Sequence, residues 1–198
     1  MAAEPWYRTD EPRRLDLRDA SVMRALAHPA RIAIVDHLFA GQSATATELA
    51  DVCGLSPSAT SYHLRALAKA GLIEEAPNRG DGRERVWRSS YQGLSVSSGP
   101  SASPAEQAAE HELTSAYVDV EHARIHDYLA RRREESQEWY DAAGFISMRL
   151  MITAQELDEV NRKVEALFEA YRLQRRASGD GPADARKVYM VYRAFPYD

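Results

Sequence analysis

Residues 46 to 71, ATELADVCGLSPSATSYHLRALAKAG, constrain this chain more than any other stretch. Two short helical periodicities meet at a tight break, Gly54-Leu55-Ser56-Pro57. Ser56 is a good N-cap, Pro57 suits the first helical position, and Gly71 stops the second helix. On a helical wheel Ser58, Ser61, Tyr62, Arg65 and Lys69 fall on one side, and Thr60, His63, Leu64, Leu67 and Ala70 on the other. The second side is built for burial. The first pairs short hydroxyls at a helix N-terminus, where a phosphate is favoured, with two cations further along.

The flanking sequence completes a small domain. HPARIAIVDHLFAG predicts a helix with Pro29 in its first turn, Ile32, Val35, Leu38 and Phe39 on one face, and Gly41 at its end. A shorter helix is expected from about Leu17 to Leu26. In the third helix Thr45 or Thr47 is the cap, and Leu49, Ala50 and Cys53 face inward. LIEEAPNRGDGRERVWRSS reads as a β-hairpin whose tip lies near Asn78 to Gly82.

Around this domain (residues 15–92) the chain divides into a Pro-containing arm (1–14), a Ser/Gly/Pro linker (93–103), one long helix (104–143) and a C-terminal strand-helix-strand unit (144–198). The long helix would reach roughly 60 Å at 1.5 Å per residue. Its narrow stripe of Leu113, Tyr117, Val120, Ile125 and Leu129 asks for a symmetry mate. In the last unit FISMRLMI alternates, with Ile146, Met148, Leu150 and Ile152 on one face. Thr153 and Glu156 form a capping box, Leu157, Val160, Val164, Leu167, Phe168 and Tyr171 make a helical stripe, and RKVYMVYRAF is the second strand. So little core predicts that the unit leans on the long helix or on a second subunit. Its aromatics, among them Trp139, Tyr140 and Phe195, read as packing residues rather than a small-molecule pocket. The fold class expected is α+β, mainly α.

The net charge of −5 argues at first against a nucleic-acid partner. Its distribution matters more: residues 56–95 hold six basic and four acidic side chains. Arg79, Arg83 and Arg85 lie near the hairpin tip. One cysteine, Cys53, cannot staple a fold and suits a reducing, cytoplasmic setting. No apolar run reaches the roughly 20 residues of a membrane span, and the N-terminus has no apolar h-region. Glycine-rich phosphate loops, G-x-S-x-G and paired cysteines are all absent from the sequence, which argues against an enzyme and calls for no cofactor.

Leu26-Ala27-His28-Pro29 before Arg31, then Glu48-Leu49-Ala50, Ser61-Tyr62-His63-Leu64, Ala70-Gly71-Leu72 and a Gly-Arg-Glu-Arg wing ending in Trp87 stand in fixed order. Over residues 15–92 this arrangement resembles a winged-helix regulator of the ArsR type. The resemblance implies a homodimeric transcriptional regulator that binds a double-stranded DNA operator, usually a repressor released by an effector such as a small molecule. In such a protein helix 57–70 enters the major groove and wing 73–89 meets the flanking backbone or minor groove. The DNA-binding set is then Ser56, Ser58, Ser61, Tyr62, His63, Arg65, Lys69, Arg79, Arg83 and Arg85. His63 borders the buried side and is expected to bridge core and groove.

Metal sensors of this kind carry cysteines just before the acidic-Leu-Ala triplet. Here those positions are Thr45 and Thr47, poor ligands for soft metals, so no metal site is assigned. An alternative is a metal-responsive sensor using His122 and His126, spaced i, i+4 with Asp119 and Asp127 nearby and His111 upstream. The plainer reading of that face is a solvated helix surface. His28 and His37 read as structural. A second alternative is a winged-helix adaptor for protein partners, against which the polar face of helix 57–70 argues.

Overall fold

A computed structural model describes residues 14–77, 84–173 and 181–197. The chain divides into two units, Met1–Glu134 and Glu135–Asp198.

The first unit is a helical bundle edged by small sheets. Asp19 caps α1 (Ala20–Leu26) by accepting from the Ser21 amide. His28 caps α2 (Pro29–Phe39): its Nδ1 accepts from the Ala30 amide at 3.1 Å. Thr45 and Glu48 form a reciprocal capping box on α3 (Ala46–Cys53). Ser56 caps α4 (Pro57–Lys69), with Pro57 in the first turn. Gly54 and Gly71 close α3 and α4 at φ 64° and 74°, where a Cβ would be strained. Between these helices Met23, Leu26, Ile32, Val35, Leu38, Leu49, Leu64 and Leu67 are wholly buried.

The hairpin strands are β3 (Glu74–Ala76) and β4 (Val86–Arg88), and β2 (Ala44–Thr45) adds a third, in the order β2-β4-β3. Trp87 of β4 is buried, and the Ser89 hydroxyl donates to the Leu72 carbonyl at 3.0 Å. This is a helix-turn-helix domain with its wing, in an α+β, mainly helical chain. The hairpin tip expected near Asn78 to Gly82 lies outside the described residues.

Three expectations are corrected here. Residues 14–17 form a strand, β1 (Arg14–Leu17), rather than the end of an arm and the start of a helix. It pairs in parallel with β5 (Gly93–Val96), inside the stretch read as linker, and buries Leu17. Local composition concealed this because each strand is stabilised by a partner some 80 residues away. The long helix is also interrupted: α5 (Pro104–Arg131) runs into a 3-10 turn at Arg132–Glu134, and α6 (Gln137–Ala142) follows. Ser136 caps α6 by accepting from the Trp139 amide, and an N-cap needs extended backbone that a continuous helix cannot supply. Lastly, the first part of the α5 stripe is spent within the chain. Ala109 and Leu113 are fully buried in the first unit's core, with Tyr117 and Val120 packed against it, while Leu129 stays exposed. Arg124 also pairs with Asp36 of α2 at 2.9 Å.

In the second unit α7 (Ala154–Glu169) has the expected Thr153–Glu156 capping box. Arg186 reaches both Glu135 carboxylate oxygens, at 2.6 and 3.1 Å, and lies 4.6 Å from the Trp139 ring centre. The Tyr192 hydroxyl donates to Asn161 Oδ1 of α7 at 3.0 Å. The two strands expected on either side of α7 are not formed: no residue of 144–152 or 187–197 is paired in a sheet. A strand exists only when a neighbour takes its N–H and C=O groups, and alternation alone supplies no neighbour. No described residue of this unit is buried, α7 included.

Candidate nucleic-acid interface

The candidate surface is the outward side of α4, and its inward side explains why it is held still. Thr60, His63, Leu64 and Leu67 are buried. The Thr60 hydroxyl donates back to the Ser56 carbonyl at 3.0 Å, so a polar side chain enters the core with its donor satisfied. Arg31 of α2 donates through Nε to Nδ1 of His63 at 3.3 Å and through Nη1 to the Ala25 carbonyl at 2.7 Å. The His63 ring lies 4.6 Å from that of His28, the α2 cap. His63 is thus held by Arg31 and His28 at the start of α2, with Arg31 itself tied to α1. Burial chiefly, then the His28 and Arg31 charges, hold its pKa below the ordinary imidazole value.

Ser56, Ser58, Tyr62, Arg65 and Lys69 are exposed together on the other side. Tyr62, 60% exposed, sets its ring edge against His63. Arg65 and Lys69 have no ion pair among the described residues, so their charge faces solvent. Two members of the expected DNA-binding set are not fully on this side: Ser61 departs from the wheel, whereas His63 lies inward as the wheel placed it. Ser61 is half-buried, and its hydroxyl donates to the Pro57 carbonyl at 2.8 Å. His63 faces the core and spends Nδ1 on Arg31. Sequence reasoning left Arg31 without a role, although its place two residues after Pro29 was the available signal.

In the wing, Arg85 pairs with Glu75 at 2.8 Å and Arg88 with Glu74 at 3.0 Å, across the hairpin. The Arg85 side chain remains 70% exposed. The Thr47 hydroxyl donates to Glu84 at 3.3 Å and ties α3 to the segment that leads into β4. Arg79 and Arg83 lie outside the described residues.

The family model described as a helix-turn-helix domain matches residues 26–76. That span runs from the end of α1 through α4 to β3. The chain is also similar to the HTH-type transcriptional regulator YgaV of Escherichia coli (strain K12), 40% identical over 55 residues. The match covers 28% of this chain and 56% of that protein, so the chain spans little more than half of that relative's length.

The other candidates fall elsewhere. Cys53 is half-buried, its Sγ donating to the Ala30 carbonyl at 3.5 Å, and burial pushes its thiol pKa up, away from the reactive thiolate. His111, His122 and His126 are exposed on α5, with Asp119 and Asp127 exposed beside them. Among the described residues no group of three or more His, Cys, Asp or Glu side chains is placed to hold one metal ion. His37 is half-buried in α2. Among the described residues no helix is long and apolar enough to cross a membrane.

Proposed function

We propose that this protein is a homodimeric, sequence-specific DNA-binding transcriptional regulator, acting as a repressor, with α4 in the major groove and the β3–β4 wing on the adjacent backbone or minor groove. The observation that carries this reading is the division of α4. Ser58, Tyr62, Arg65 and Lys69 are presented outward on a helix whose other side is anchored by four buried side chains and the Arg31–His63 bond. A well-anchored polar helix with cations along it and the exposed Ser58 hydroxyl at its N-terminus suits base edges and phosphates. The match of residues 26–76 to a helix-turn-helix domain and the likeness to YgaV support the same reading. Release would come from a small molecule rather than a metal, since Thr45 and Thr47 spend their hydroxyls on the α3 cap and on Glu84.

The test is enrichment of random double-stranded DNA on the full chain. The enriched sites should contain two inverted half-sites about 10 base pairs apart, or a multiple of that spacing. Failure to enrich any sequence at low salt would overturn the reading.

A further inference from the structure

We propose that the C-terminal unit is completed by a second copy of this chain, each copy contributing residues 145–152 and 187–195 as β-strands to one sheet shared across a two-fold axis. This rests on the homodimeric part of the function proposed above and names the surface that part requires.

The first ground is where the apolar residues lie. Every buried side chain among the described residues belongs to the first unit. Of the exposed large hydrophobic side chains described, all but Val52, Leu55, Tyr62 and Leu129 belong to the second. Ile146 is 86% exposed, Met148 70% and Phe195 71%. A segment of this composition left in water gains nothing to offset the entropy of ordering it.

The second ground is the backbone. Both segments alternate, with Ile146, Met148, Leu150 and Ile152 on one face of the first and Val188, Met190, Tyr192 and Ala194 on one face of the second. Neither is paired in a sheet. The Tyr192–Asn161 bond ties the second segment to α7, so one side already has its helix. What is missing is a neighbouring strand, which narrows the occupant to an extended polypeptide.

The third ground identifies that polypeptide. The stretches of this chain outside the described residues, such as NRGDGR and QRRASGD, are polar or rich in charge and proline and have too few apolar residues to cover the surface. An occupant needed whenever the unit folds must also be present at the chain's own concentration, and a second copy always is. Head-to-tail pairing of apolar strand edges adds neighbours without limit, whereas pairing about a two-fold axis joins the same edge of both copies and closes as a dimer. Phe145, Tyr189, Phe195 and Tyr197, with Ile146, Met148, Leu150, Met151, Val188 and Met190, expose on the order of 1,000 Å² per copy, against the roughly 800 Å² per partner of an ordinary stable interface.

The experiment combines sedimentation of the full chain with amide hydrogen exchange read by mass spectrometry over a dilution series, and DNA binding on the same samples. The expected result is a species of twice 22.2 kDa in which amides of 145–152 and 187–195 exchange at least about 100-fold more slowly than unstructured peptide. Dilution to monomer should release both segments together while α4 stays protected. Met190→Pro, which removes a ladder donor in each copy, should raise the dimer dissociation constant roughly tenfold or more, and Met190→Leu should not. A dimer whose two segments exchange freely would overturn the inference and leave the homodimeric regulator standing. Protected segments in a monomer, or an open-ended polymer, would overturn it as well. A protected dimer without DNA binding would uphold the inference and defeat the proposed function.

Discussion

Arg31 Nε donates to His63 Nδ1 at 3.3 Å, and this bond joins the capped start of α2 to the inner face of α4. An acceptor Nδ1 requires the neutral imidazole, whose remaining proton sits on Nε2. Burial, with His28 and Arg31 close by, lowers the His63 pKa in the folded state. The unfolded chain therefore binds this proton more readily. The contribution to stability is complete above the unfolded value of about 6.5 and is lost as pH falls from there through the folded pKa. Urea denaturation between pH 7.5 and 5 should show wild-type stability falling toward acid, with a shallower fall in His63→Gln. Parallel curves would remove His63 as the source.

The Asp36–Arg124 pair should behave as a partly buried ion pair. Burial raises the Asp36 pKa while Arg124 opposes that rise. Arg124→Ala strands the carboxylate and should cost about 1–3 kcal/mol, less if the gap admits water. Asp36→Asn in the same background should recover part of the loss. Thermal denaturation of the three variants checks it.

Gly71→Ala isolates a backbone effect. Gly71 has φ 74°, and a Cβ built there would meet nothing within 4 Å. Steric crowding is therefore absent, and the cost should be the left-handed penalty alone, about 1–2 kcal/mol. A larger loss would mean that the turn after α4 is tighter in solution.

On the proposed DNA target, Arg65→Ala and Arg85→Ala should fail differently. A bidentate base contact carries about 1–3 kcal/mol of discrimination, so Arg65→Ala should relax base preference at one position of each half-site. Arg85→Ala should weaken specific and non-specific DNA alike and flatten the log affinity–log salt slope by about one unit. If Arg85 serves only its exposed Glu75 pair, which contributes about 0–1 kcal/mol to stability, affinity and slope will not move. Fluorescence anisotropy in a salt series separates these outcomes.

Zinc, nickel, cobalt and arsenite should leave the DNA complex intact, because Thr45 and Thr47 offer no thiolate. A gel shift with each ion and again with chelator tests this. Release by one ion, abolished in His122→Ala, would instead assign α5 the sensing role.

The sequence by itself determined the helix-turn-helix: Ser56-Pro57, Gly54 and Gly71 are local signals, and each acts within a turn or two of its own position, while the structure decided between Thr45 and Thr47 by closing the Thr45–Glu48 box. The inward set Thr60, His63, Leu64 and Leu67 was legible for the same reason, since helical period alone assigns it. Tertiary structure decided whatever depends on a partner distant in sequence. It paired β1 with β5, drew Ala109 and Leu113 of α5 into the first unit, and gave Arg31 its hold on His63. It also left residues 145–152 and 187–195 without the strand neighbours that their alternation invites. A helix satisfies its own backbone and so can be read from a window of residues, whereas a strand is defined by the chain beside it, which no window contains.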